Sequence, residues 1–450
     1  MKRLHVTIVL LAVLATVLSA PVLAADALDL DQLRSLAVEN SNTLKSSSLS
    51  VESQQLDQDA LKYDLFPSIS TQLKSGITYP GMGNDYTTLN GDSSLGVTLT
   101  QPVYQGGVYA IDKQTASVET ALSLAERESA RLDVLLTVDT LYLGLLEAIE
   151  KQEAAQKDLE AANLRLELAE ARFEAGMVAR TDTLMAKAEA AAAETSLLEA
   201  EKNTIIAGSD LASFLGLEEV PEVEPVDLQH YEGVINELTA LNTERIEKSL
   251  EPLTAAGFEH SPDMVKLGLA REQAELEAQR MMKQYTPSIS FSLSDTVSLD
   301  NQFSLSNSVS ASITGSLTLS QWDRKNTAQQ ADITIDQAEV SAAETVRLYI
   351  QDIQSSWYEL VTSCRTIQSA LSAEEYAQEL YNDTYQRYEL NAATVTELSD
   401  AEADLSSARY QSISSSYSFL KALAALTRSL GFEDELKVWE ILKASGIMEA

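Results

Sequence analysis

Two solvents are written into four stretches of this chain by strict alternation. From Ser308 to Ser320 one face reads Ser308, Ser310, Ser312, Thr314, Ser316, Thr318 and Ser320. The other reads Val309, Ala311, Ile313, Gly315, Leu317 and Leu319. Period-two alternation of hydroxyls and aliphatics predicts a strand with water on one side and an apolar medium on the other. A strand of a membrane barrel needs that pattern, lipid outside and water inside. Three further strands are predicted at about 67–79, 93–101 and 287–297. The residues from about Pro80 to Asp92 are rich in Gly, Asn, Asp and Thr, which reads as a solvent loop.

Between and after the strand pairs the period changes to that of helices. An amphipathic helix from about Leu28 to Leu65 precedes the first pair, ended by Pro67. Long Ala-, Leu- and Glu-rich helices without proline run from about Val108 to Ala175 and from about Thr327 to Leu390. At about 1.5 Å per residue each would reach on the order of 100 Å. Gly176 breaks the first in a position suited to a helix C′ residue. Return helices are predicted from about Thr181 to Leu215 and Val395 to Leu430, and a helix from about Pro262 to Gln284 leads into the third strand.

The plan is a duplication. Pro67-Ser68-Ile69-Ser70 recurs as Pro287-Ser288-Ile289-Ser290, and Thr98-Leu99-Thr100-Gln101 as Thr318-Leu319-Ser320-Gln321, each at an offset of about 220 residues. Leu215-Gly216-Leu217-Glu218 likewise matches Leu430-Gly431-Phe432-Glu433. The reading divides the chain into a leader (1–24), a first repeat unit (25–217), a linker (218–258) with a linker or small strand from Glu218 to Pro225, a second unit (259–431) and a short tail (432–450).

Composition narrows the class. Lys2 and Arg3, the apolar run Leu4 to Leu18 and the small residues of Val22-Leu23-Ala24 form a secretory signal. No later stretch is apolar enough to span a bilayer as a helix, so entry into a membrane has to be by strands. Four strands cannot close a barrel, because an open edge in hydrocarbon leaves backbone groups unsatisfied. Two copies would supply eight strands and three copies twelve, and long hairpins with narrow Leu/Ala stripes make the same demand for neighbours. The net charge of −36 argues against nucleic acid and anionic lipid as partners. The single cysteine, Cys364, permits no intrachain disulfide. No catalytic constellation, metal motif or cofactor fingerprint appears, so an enzyme is not expected.

The segment Arg172-Phe173-Glu174-Ala175-Gly176-Met177-Val178-Ala179-Arg180-Thr181-Asp182 resembles the TolC family of outer-membrane efflux channels, which carries an Arg-aromatic-x-x-Gly signature at its helix-to-helix turn. Arg387-Tyr388-Glu389-Leu390-Asn391 is the weaker counterpart in the second unit, with Asn for Gly. Gln101-Pro102-Val103-Tyr104-Gln105-Gly106-Gly107 resembles the passage from strand to long helix in that family. The resemblance covers nearly the whole mature chain. It implies a mainly α fold with a small β part: a homotrimer with a twelve-stranded barrel, a tunnel of helical hairpins and an equatorial belt. It also implies a place in the outer membrane with a periplasmic extension, no cofactor, and an adaptor and an inner-membrane transporter as partners for efflux or type I secretion.

The family narrows its periplasmic entrance with acids on the second return helix, where Glu397 and Asp400 stand three apart and on one helical face. Such a ring selects cations; in a chain this acidic, a pair at that spacing also arises without function. Thr181, Asp182 and Tyr388 fall where links that hold the tip closed are implied, whereas the basic residue expected soon after Tyr388 is Ala393. A periplasmic adaptor and an exported structural coiled coil are the competing readings.

Overall fold

The computed structural model describes residues 27–78, 90–299, 304–319, 322–390 and 392–447. The signal segment, most of the loop expected between the first two strands, the far end of the tail and Asn391 lie outside the described residues. In chain order the elements are α1 (Leu30–Asn40), α2 (Asn42–Ala60), β1 (Ser68–Thr78), β2 (Asn90–Tyr104), α3 (Val108–Glu174), α4 (Arg180–Leu215), α5 (Glu232–Thr239), α6 (Thr243–Lys248), α7 (Leu250–His260), α8 (Pro262–Lys283), β3 (Ser288–Leu299), β4 (Leu305–Ser316), α9 (Arg324–Glu389), α10 (Val395–Ser429) and α11 (Leu436–Ala444). They fall into two compact units: Thr43–Ala130 with Phe258–Gln351, and the remaining described residues, among them Arg131–Gly257.

The first of these units contains the sheet. Its order is β1-β2-β3-β4, antiparallel throughout. The register aligns hydroxyls across all four strands: Ser70 faces Thr98, Thr98 faces Ser294, and Ser294 faces Ser310. Thr98 and Ser294 hydrogen-bond through their hydroxyls at 3.1 Å, as Ser288 and Ser316 do at 2.7 Å. The neighbouring row, Ile69, Leu99, Leu293 and Ala311, is apolar. Ile69, Leu73, Val309 and Ile313 are each more than two-thirds exposed, so nothing among the described residues covers this aliphatic face. Ile111, Val118 and Leu276 form a small core where α3 meets α8.

Several boundaries differ from the alternation. The fourth strand stops at Ser316 rather than Ser320, although Leu317 and Leu319 continue the pattern. Ser316 pairs with Ser288, the residue after Pro287. Proline has no N–H to offer, so the ladder ends there whatever the side chains beyond prefer. The second strand begins at Asn90, inside the expected loop, because Asn90, Gly91 and Asp92 pair with Thr78, Ile77 and Gly76. The single helix expected over Leu28 to Leu65 is instead α1, α2 and a 3₁₀ turn over Leu61–Leu65. Ser41 breaks it, with an extended backbone (φ −56°, ψ 119°). Asn, Ser and Asn in succession favour local side-chain bonds over a continuous helix, and Asn40 Nδ2 donates to the Leu215 carbonyl at 2.9 Å.

The other unit holds the large core. Trp357, Leu360 and Cys364 of α9, Phe419 and Leu426 of α10, and Leu211 and Leu215 of α4 are fully buried. The Trp357 indole donates to the Ile246 carbonyl at 3.2 Å, and Arg365 to the Leu241 carbonyl at 2.7 Å, so α9 satisfies carbonyls of the α5–α6 segment. Along α3, Ala155, Ala162 and Ala169 are buried at heptad spacing. Small side chains at that spacing let helices approach closely along a long seam. The stretch expected as a linker carries α5, α6 and the start of α7, while Glu222 and Glu224 bond the backbone of Leu28 at 2.8 and 3.1 Å. The tail is tied by Tyr231 Oη to Glu435 at 2.5 Å and by an Arg131–Glu433 ion pair. Burial pushes the Cys364 thiol up to about 12, leaving it protonated and packed.

Candidate functional site

Two helix-to-helix turns carry the residues singled out by the sequence. In the first, α3 ends at Glu174 and the chain reverses at Gly176, whose φ is +72°. The Gly176 N–H donates to the Phe173 carbonyl at 2.9 Å and the Met177 N–H to the Arg172 carbonyl at 2.8 Å, a Schellman-type closure. The second turn repeats the wider bond: the Ala392 N–H reaches the Arg387 carbonyl at 2.7 Å. Arg387 also holds Asp383 at 4.0 Å and the Ala392 carbonyl at 3.5 Å.

The turns meet through Arg172 and Tyr388. The Arg172 guanidinium lies 4.7 Å from the centre of the Tyr388 ring, and the ring is 7% exposed. A cation over a sheltered aromatic face is worth about 1–2 kcal/mol. Thr181 and Asp182 occupy the first turn of α4, where the Thr181 hydroxyl donates to the Asp182 carboxylate at 3.3 Å. Among the described residues no hydrogen bond joins either of them to Tyr388.

Glu397 and Asp400 stand in the first two turns of α10, exposed, with Leu398 and Ala401 buried on the opposite side. The Glu397 carboxylate closes a capping box: it accepts the Thr394 N–H at 2.7 Å and the Thr394 hydroxyl at 3.0 Å, while Thr394 Oγ1 accepts the Glu397 N–H at 3.2 Å. The bond from the Thr394 backbone, then that from its hydroxyl, holds the Glu397 carboxyl below the usual carboxylate range. Glu397 is therefore ionised and oriented, and it begins the helix as well as charging it.

Sequence reasoning missed a charge network on the same four helices. Arg165 of α3 pairs with Glu402 of α10 and, at 3.4 Å, with Glu189 of α4. Arg409 of α10 reaches Asp158 of α3 at 3.2 Å and Glu374 of α9 at 3.8 Å, and Ser406 donates to Asp158 at 2.6 Å. Four carboxylates share two guanidinia in a half-buried seam. Burial, reinforced by Glu189 and Asp158, pushes Glu402 up to about 7 despite the opposing pull of Arg165. The only sequence signal was two arginines standing in acidic helices.

Among the described residues no group of His, Cys, Asp or Glu is arranged to hold a metal ion, and no helix is long and apolar enough to cross a membrane. The class these observations define is a strand-and-hairpin protein: an open sheet with a hydroxyl face and an aliphatic face, and long helical hairpins. The model of the outer membrane efflux protein family matches residues 33–217 and 258–432, and the chain belongs to that family. It is an outer-membrane channel subunit for efflux, with its helices extending into the periplasm. This favours the duct over the adaptor and coiled-coil readings.

Solved structures share the fold. The outer membrane protein VceC of Vibrio cholerae is 17% identical with a TM-score of 0.69, over 90% of this chain and 96% of that one. The CmeC outer membrane channel of Campylobacter jejuni is 16% identical with a TM-score of 0.69, over 93% and 90%. The open-state MtrE outer membrane channel of Neisseria gonorrhoeae is 18% identical with a TM-score of 0.69, over 90% and 89%. No curated protein matches the sequence.

Proposed function

We propose that three copies of this chain form one passive exit duct, and that Glu397 and Asp400 charge its periplasmic entrance. The observation that carries the reading is the sheet. β1 and β4 are edges of a four-stranded antiparallel sheet whose aliphatic face is bare. Such edges are tolerable in hydrocarbon only when paired, and bacterial barrels begin at about eight strands. Twelve strands from three copies close the sheet and give the Ser/Thr rows a common aqueous lumen. Three copies of α10 bring six carboxylates to one constriction, a field that attracts cations and retards anions.

Thr181, Asp182, Arg172 and Arg387 belong to the same tip, with Arg172 on Tyr388 bracing the two turns of one protomer. The duct contributes no energy source of its own. An inner-membrane transporter and a periplasmic adaptor supply drive and docking, and the cargo is a small molecule or a secreted polypeptide delivered by that pump. The tail and the α5–α7 segment form the belt around the helical part.

The test is Glu397→Gln with Asp400→Asn in planar bilayers. Gln at the third helical position still serves a capping box, so charge is removed without melting the start of α10. Cation selectivity and block by divalent cations should both fall; an unchanged reversal potential refutes the gate. A monomer in mild detergent, or recovery as a soluble periplasmic protein, refutes the trimeric duct.

A further inference from the structure

The strand ends that join helices carry a chemistry that neither the lumen nor the tip uses. In the antiparallel order β1-β2-β3-β4, the start of β1, the end of β2, the start of β3 and the end of β4 lie along one side of the sheet. Exposed aromatics stand there: Phe66 before β1, Tyr104 at the end of β2 and Trp322 after β4, which are 59%, 48% and 93% exposed. A bulge decides the place of Tyr104. Pro102 pairs with Ser290 and Tyr104 with Ile289, so Val103 is an extra residue. The bulge turns Tyr104 onto the face of Ile289, and the aliphatic face of the sheet ends in an aromatic ring.

Cations follow directly. Lys62 lies on the 3₁₀ turn before β1, 55% exposed, with its ammonium 5.4 Å from the Tyr63 ring and 3.5 Å from Asp59. Arg324 and Lys325 open α9 beyond Trp322, both exposed. Arg324 lies 5.8 Å from the centre of the Tyr285 ring and follows exposed Asp323, and among the described residues neither cation makes an ion pair. Two adjacent cations in the first turn of a helix oppose its dipole, an arrangement that loses free energy unless an anion lies nearby. They do so in a chain where acids outnumber bases 68 to 32. The junction is also tied down: Gln101 Nε2 donates to the Leu65 carbonyl at 2.8 Å, Thr286 Oγ1 to the Gly106 carbonyl at 3.0 Å, and Tyr285 and Thr327 hydroxyls meet at 2.8 Å.

We propose that this belt binds the anionic phospholipid headgroups of the leaflet facing the periplasmic helices. Aliphatic face, aromatic rings and then cations is the order of hydrocarbon, interface and phosphate in a bilayer. Continuity with the lipid-facing stripe favours lipid over an acidic protein. The proposal rests on the sheet being membrane-embedded and adds a lipid preference to it.

Trp322 is the reporter, since Trp357 and Trp439 are 0% and 7% exposed. The full-length oligomer is reconstituted in phosphatidylcholine vesicles, and its fluorescence is quenched with brominated phosphatidylglycerol or brominated phosphatidylcholine. At low salt the anionic lipid should bind roughly fivefold or more tightly, the preference about one cation near a surface confers. The preference should vanish in Lys62→Gln/Arg324→Gln/Lys325→Gln and persist in Arg324→Lys/Lys325→Arg. High salt should abolish it in the unmodified protein, a readout that needs no substitution. Equal affinity for the two lipids at low salt, or a preference surviving the triple substitution, overturns the proposal. Absence of quenching by either lipid overturns the membrane assignment of the sheet, and this proposal with it.

Discussion

The charge seam on α3, α4, α9 and α10 makes the stability of the hairpins depend on pH through one residue. Asp158, Glu189, Glu374 and Glu402 share Arg165 and Arg409, and the surplus falls on Glu402, whose side chain is 15% exposed. Its carboxyl rises from an ordinary 4.5 to about 7 on folding. A raised carboxyl pKa means the folded state binds more protons than the unfolded one, so stability falls as pH rises from about 4.5 towards 7 and stays low above. Integrating that linkage from pH 8 down to pH 5.5 gives about 2 kcal/mol of added stability per protomer, about thirtyfold in the population of locally open helices.

Glu402→Gln removes the titrating proton and leaves Arg165 its 3.4 Å contact with Glu189. Hydrogen exchange of the amides flanking residue 402, corrected for intrinsic rate, reads the effect directly. Protection in the unmodified protein should rise by about an order of magnitude or more between pH 8 and pH 5.5, and in the variant it should stay nearly flat. Parallel pH profiles in the two proteins would refute the assignment of the surplus charge to Glu402.

Trp357→Ala should cost about 3–5 kcal/mol for the cavity and more for the orphaned Ile246 carbonyl, seen as a large fall in thermal midpoint; Trp357→Phe should lose mainly the hydrogen bond. Gly176→Ala should cost about 1 kcal/mol from backbone strain alone, since a Cβ there meets nothing within 4 Å, and tryptic cleavage at exposed Arg180 should quicken. Thr394→Ala removes the hydroxyl bond to the Glu397 carboxylate but leaves the backbone one, so it should raise the titration of Glu397 only part of the way towards the ordinary carboxylate range, moving any acid-induced change in single-channel current slightly to higher pH.

Alternation of Ser and Thr with Val, Ile and Leu was enough to locate four strands and assign their two faces, because side-chain parity is a property of the strand itself. Gly176 marked a turn because few other residues accept a positive φ. The signature Arg172 to Asp182 led to the right family for the same local reason. Where those strands stop was not local: β4 ends at Ser316 because its partner begins after Pro287, and β2 starts at Asn90 because β1 extends to meet it. At the break between α1 and α2, local preference is joined by a bond no local pattern shows, from Asn40 to Leu215, 175 residues away.

The two helix-to-helix turns divide in the same way. Glu397 and Asp400 could be placed on one helical face from their spacing, but the capping bonds that orient Glu397, the seat of Arg172 on Tyr388 and the sharing of Arg165 between Glu189 and Glu402 are tertiary facts. The sequence by itself determined which faces are wet, which residues reverse the chain and which class of protein this is. Only the folded chain decided which charges meet, how far each ladder runs and which carboxyl holds its proton near neutrality. Those depend on distances between segments far apart in sequence, and electrostatic and ladder energies are functions of distance, not of order along the chain.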